Sequence, residues 1–102
     1  MALDTWLANI HSDEIVSTVL DLSGAGGDFL YFGSPGTVLL RFIDPYGYTI
    51  FNRIQCGELY GEWTAASRNL EGEEALKWSS EVAALIRRCA DEYGLFVRFV
   101  GE

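Results

Sequence analysis

Lysine and arginine are missing from the first forty residues: the first cation is Arg41, and Lys77 is the chain's one lysine. Asp4, Asp13, Glu14, Asp21 and Asp28 put five acids into the same stretch. Seven Lys and Arg against fifteen Asp and Glu leave a formal charge of −8. A field of that sign repels phosphate backbones and anionic membranes and attracts basic surfaces. Nucleic-acid binding needs clustered cations and is disfavoured here. Cysteine and histidine are equally scarce. Cys56 and Cys89 lie 33 positions apart, and His11 is the single histidine, which matches no zinc spacing, while export of the chain would allow a disulfide. In a reducing compartment the two cysteines read as buried thiols acting as small hydrophobes. The acids show no EF-hand spacing, so neither a metal nor a cofactor is expected. No apolar run approaches the ~20 residues needed to cross a bilayer. The opening Met-Ala-Leu-Asp-Thr-Trp lacks the basic region and apolar core of a secretory signal. The chain therefore reads as cytoplasmic, with no membrane partner.

What is present in quantity is apolar surface. A hydrophobic fraction of 49% and an aromatic fraction of 14% are generous for 102 residues. That composition excludes disorder despite the acidity, and the length suits one domain spanning residues 1–102. A domain this small hides only about two-thirds of its unfolded-chain surface, so some aromatic rings are expected to stay exposed.

The periodicities predict an α+β fold: an antiparallel meander of three to four strands, a long C-terminal amphipathic helix, a final short strand and N-terminal helical segments. Asp44-Pro45-Tyr46-Gly47 has the residues of a hairpin turn, with Pro first and Gly two positions later. With Phe29–Phe32, Thr37–Ile43 and Tyr48–Gln55 as strands, that turn sets Phe42 against Ile50 and Val38 against Ile54. Ala75, Trp78, Val82, Leu85, Ile86, Cys89 and Tyr93 recur at three- and four-residue steps, predicting a helix over 71–93 with Gly94 as its stop. Glu73–Lys77, Arg87–Asp91 and Arg88–Glu92 lie at i,i+4 on its outer face. Leu95–Val100 alternates as a strand. Trp6, Leu7 and Ile10 suggest a short helix over 4–11. Ser12–Leu22 leans towards a second helix capped by Ser12, although its β-branched run Ile15–Val19 favours a strand. Residues 57–69, with Leu59, Tyr60 and Trp63 between glycines, read as a fourth, edge strand.

Few segments carry chemistry. Val19-Leu20-Asp21-Leu22-Ser23-Gly24-Ala25-Gly26-Gly27 resembles the first motif of S-adenosylmethionine-dependent methyltransferases, in which a strand ends in an acid, a hydrophobe and a glycine-rich turn. Ser23 interrupts that pattern, Asp28–Phe32 looks like a strand where the motif opens a helix, and the chain is too short for a doubly wound sheet. The segment reads instead as a flexible glycine turn. His11 beside Ser12, Asp13 and Glu14 reads as a solvated residue near a helix end rather than a catalytic base.

Glu58, Tyr60, Glu62 and Trp63, together with Tyr46 and Tyr48, combine charge for steering with rings for anchoring and form the expected contact patch. Glu58 and Glu62 could pair for general acid–base chemistry, but on a short strand or loop they would have no obvious pocket, so no catalytic residue is assigned and the chain leans against an enzyme. Two functions from different classes remain. One is a small acidic binding protein docking on a basic protein partner, as inhibitors and immunity-type proteins do. The other is a small-ligand domain or enzyme with a pocket lined by Tyr31, Phe42, Tyr48, Phe51, Trp63 and Trp78. An uncovered sheet face or edge would also allow a homodimer.

Overall fold

The computed structural model describes residues 1–102. Its elements run β1 (Leu3–Asn9), β2 (Ile15–Val19), α1 (Gly26–Gly33), a 3-10 turn (Leu40–Phe42), β3 (Tyr48–Phe51), α2 (Arg53–Ser67), α3 (Glu73–Asp91) and β4 (Leu95–Gly101). The four strands form one antiparallel sheet in the order β2-β1-β4-β3. The chain is therefore α+β, with a long helix near the C-terminus followed by a short strand, as the periodicities imply. No helix is long and apolar enough to cross a membrane.

Which segments build the sheet differs from expectation. Residues 4–11 are not helical. Leu3, Thr5 and Leu7 alternate inward along β1, which pairs with β4 through Thr5 opposite Phe99 and Leu7 opposite Val97. Asn9 ends the strand: its side-chain oxygen accepts the amides of His11 and Ser12 at 2.8 and 3.3 Å, and Asp13 adopts a left-handed φ of 59°. The chain turns back there, so Ser12 caps no helix, and the β-branched run becomes β2. His11 sits exposed at this hairpin tip.

The meander expected over Phe29–Gln55 survives only as its turn and the first half of its last strand, Tyr48–Phe51, because Arg53–Gln55 open α2. Phe29–Phe32 belongs to α1, whose start is set by the Asp21 carboxylate. One of its oxygens accepts the amides of Leu3 at 3.0 Å and Gly26 at 2.8 Å, tying the helix to β1. Residues 37–43 do not pair as a strand because the Glu62 carboxylate on α2 takes three consecutive amides, those of Val38, Leu39 and Leu40. β3 pairs with β4 instead, placing Ile50 opposite Arg98 and Phe51 opposite Val97. The expected edge strand at 57–69 is helix α2. Asn52 and Gln55 form a reciprocal capping box at its start, and Cys56, Leu59, Trp63 and Ala66 face inward at helical spacing.

The expectations for α3 and β4 hold. Ala75, Trp78, Val82, Leu85, Ile86 and Cys89 are buried, and Gly94 takes a φ of 83° after the helix. Arg87 and Arg88 pair with Asp91 and Glu92 at 3.0 and 2.6 Å. Tyr93 lies past the helix end, exposed, with the Arg53 guanidinium 4.4 Å from its ring centre.

All three helices cover one face of the sheet. Between them lies an aromatic core in which Trp63 contacts Phe29, Trp78 and Phe99 at centroid distances of 4.4, 5.5 and 5.6 Å. Both buried indoles find acceptors: Trp63 Nε1 donates to the Ser79 carbonyl at 3.0 Å and Trp78 Nε1 to that of Leu3 at 3.3 Å. The opposite sheet face, with Asp4, Trp6, Phe96, Arg98, Val100, Tyr48 and Ile50, has no covering element.

Candidate contact surface

The structure does not bring the six expected contact residues together. Trp63 is wholly buried in the core. Tyr60 is half-buried on α2, with the Arg87 guanidinium 5.3 Å from its ring. Glu58 stands exposed one turn before Glu62, whose carboxylate is occupied by backbone amides. Tyr48 lies on the uncovered sheet face, and Tyr46 at the turn before β3. The six rings considered as pocket lining are also dispersed. Trp63, Trp78 and Phe51 fill the core, whereas Tyr31, Phe42 and Tyr48 are surface residues.

Tyr46 does have aromatic company. It shares a groove of about 560 Å³ with Tyr31, Asp28 and Met1. On the other side of α1, a second groove of about 270 Å³ is lined by Asp28, Phe32, Leu70 and Glu71. The ridge between them is α1 itself. Phe29 and Leu30 point into the core, which turns Asp28, Tyr31 and Phe32 outward. Tyr31 and Phe32 are 76% and 72% exposed and meet edge to face at 5.0 Å. On the far side of the first turns of α3, Leu20 and the fully projecting Leu22 share a third groove with Glu74, Lys77 and Glu81. This end of the molecule thus combines exposed rings and leucines with Asp28, Glu71, Glu74 and Glu81. Arg41 and Lys77 are the cations beside it.

Asp28, Tyr31, Phe32 and Glu71 all lie outside the expected contact patch, and of these Tyr31 alone is among the rings expected to line a pocket. The signal was present. In a helix from Gly26, inward Phe29 and Leu30 force the next two rings outward, but a strand reading alternates the same four residues between faces.

Other chemistry-bearing side chains are engaged in holding the chain together. Partial burial pushes the Glu62 carboxyl up, but the amides of Val38, Leu40 and Leu39 and the charge of Arg41 outweigh it, so its pKa lies below the ordinary value. The buried Asp21 carboxylate also accepts the Ser23 hydroxyl at 2.6 Å, so the segment resembling a cofactor motif serves as a clamp between β1 and α1. Cys56 and Cys89 are free and wholly buried, and the Cys89 thiol points to the Leu95 carbonyl at 3.6 Å. The neighbouring Cys89 sulfur and burial together push the Cys56 thiol up. No three His, Cys, Asp or Glu side chains converge on a common point.

No protein-family model, curated protein or solved structure matches this chain.

Proposed function

We propose that this is a non-catalytic binding protein whose acidic, aromatic α1 ridge docks on the basic surface of another protein. The observation that carries the reading is the exposed Tyr31–Phe32 pair standing between two grooves that share Asp28. Two adjacent rings left in water on a short helix are costly unless a partner covers them, and such anchors dominate interface energetics. Asp28, Glu71 and Glu74 around them supply the complementary charge, and the net −8 steers a cationic partner towards the molecule. Relative to the expected patch, Tyr46 is kept and the anchoring role moves from the helix α2 residues to α1.

The test is affinity capture with wild-type protein and with the double variant Asp28→Lys/Phe32→Ser, followed by association kinetics of the captured protein across ionic strength. The expected partner is basic, is lost by the variant, and associates roughly 10-fold or more slowly at ~300 mM than at ~20 mM salt. Retention of the partner by the variant, or an on-rate insensitive to salt, refutes the reading.

A further inference from the structure

The uncovered sheet face carries one feature that folding alone does not explain. Arg98, at its centre on β4, takes part in neither ion pair of the chain. Its Nε is fully enclosed and has no hydrogen-bond acceptor. The enclosure comes from rings: the guanidinium lies 5.3 Å from the Trp6 centroid, 5.7 Å from Tyr48 and 5.8 Å from Phe96. Cation–π attraction holds the side chain flat, but an arginine has five donors that match a carboxylate. Tryptophan, tyrosine and arginine are also the residue types that dominate protein interfaces.

We infer that this face closes on the same face of a second copy, with Arg98 of each copy receiving Asp4 of the other. The argument is charge complementarity. By strand alternation, Asp4 and Arg98 are the two charged residues within the strands of this face, with Glu102 at its border just past β4, so its centre is neutral on a molecule of net charge −8. A basic partner meets Arg98 there, and an acidic one is repelled by the rest of the chain. A second copy supplies an acid to the outer guanidinium nitrogens, which are not enclosed as Nε is. Asp4 uses one carboxylate oxygen for the Asp21 amide at 2.8 Å, which leaves the other free.

The sheet geometry permits the exchange. Asp4 sits opposite Val100, and Trp6 opposite Arg98, so Asp4 and Arg98 are diagonal neighbours about 8 Å apart in the plane of the sheet. A two-fold axis lying in the interface and bisecting that diagonal carries each residue onto the other. It brings Trp6 close to its own counterpart and crosses the strands at roughly 70°, near the orthogonal class of sheet packing. Four strands at about 4.8 Å spacing and about 3.3 Å per residue give roughly 350 Å² per copy in projection. That is below the ~800 Å² per partner of a standard interface, so the dimer is weak and reversible. The α1 ridge lies on the helical side and stays free.

The test is sedimentation equilibrium from about 5 µM to about 1 mM, with Asp4→Arg, Arg98→Asp and Ile50→Asp variants checked for native circular dichroism. Either charge reversal alone places like charges together twice and raises Kd at least ~10-fold. An equimolar mixture of Asp4→Arg with Arg98→Asp regains dimer, because both cross-pairs are then complementary. Ile50→Asp, which alters an exposed residue with no hydrogen-bond role, weakens the dimer even if a charge variant fails to fold. Raising salt leaves the wild-type dimer unchanged or tighter, since screening relieves repulsion between two acidic bodies, the opposite of the α1 docking. A monomer at every concentration overturns the inference. So does a dimer indifferent to Ile50→Asp, or natively folded charge variants whose mixture forms no more dimer than each alone.

Discussion

Replacing Glu62 with Gln separates the charge of this side chain from its shape. Oε1 accepts the amides of Leu39 and Leu40, both at 2.9 Å, and Oε2 accepts that of Val38 at 2.6 Å. In Glu62→Gln the carbonyl oxygen can keep the first two bonds without charge, while the new NH₂ opposes the Val38 N–H, donor against donor. A hydrogen bond to a charged group contributes ~1.5–3 kcal/mol and a neutral one ~0.5–1.5. The site is only partly buried and water can replace the exposed Val38 bond, so the lower ends of these ranges apply. The expected loss is about 1–2 kcal/mol at pH 7, or roughly 5–15 °C in Tm for a domain of this size. The pH dependence is the sharper test. The folded pKa of Glu62 lies below its ordinary 4.5, so its contribution is fully present above that value. It is lost as pH falls through the folded pKa, because protonation is easier in the unfolded chain. Urea unfolding of both proteins at pH 7, 5 and 3.5 should therefore show a gap that holds between the first two and narrows at the third. A gap independent of pH, or a variant as stable as wild type at pH 7, would falsify the assignment of the 37–43 conformation to this carboxylate.

Glycine positions give opposite and checkable signs. A methyl group at Gly57 or Gly61 meets no atom within 4 Å on the exposed side of α2, so Gly57→Ala and Gly61→Ala should each raise stability by ~0.5–1 kcal/mol in urea melts. Gly26→Ala should do the reverse, by about 1–3 kcal/mol, because its Cβ would fall 2.4 Å from that of Leu3 and 2.8 Å from the Asp21 carboxylate. Stabilisation by Gly26→Ala would mean that α1 is not clamped to β1 as described. Cys56 and Cys89, both wholly buried, should resist an aromatic disulfide reagent in native buffer and titrate as two thiols in denaturant. Rapid native labelling would contradict their place in the core.

The elements that could be read from sequence are those whose partner is a single continuous face. α3 buries one stripe from Ala75 to Cys89, and any apolar layer would satisfy it. α2 carried comparable information in Cys56, Leu59, Trp63 and Ala66 and in the Asn52–Gln55 box, but Gly57 and Gly61 imitate strand boundaries. These glycines lie on the solvent side, where they weaken the helix without interrupting its buried face. For β1 the three- and four-residue spacing of Trp6, Leu7 and Ile10 competed with the alternation of Leu3, Thr5 and Leu7. Pairing with β4, 86 or more residues away in sequence, decided between them. The expected contact patch failed to assemble for the same reason: once 57–67 is helical, Trp63 faces the core and Glu62 faces the 38–40 amides.

The sequence by itself determined the composition of the surface and the class of the fold. Its scarcity of cations, its single histidine, its apolar surplus and the α3–β4 unit are local or additive properties that need no knowledge of neighbours. Only the tertiary structure decided where the charge does specific work. A carboxylate is recruited by whichever unpaired amides the fold brings to it, as Asp21 and Glu62 are. The enclosed Nε of Arg98 lacks an acceptor because the rings of Trp6, Tyr48 and Phe96 flank the guanidinium. Both conditions depend on contacts between residues distant in the chain, and the same long-range contacts leave the α1 ridge and the open sheet face uncovered.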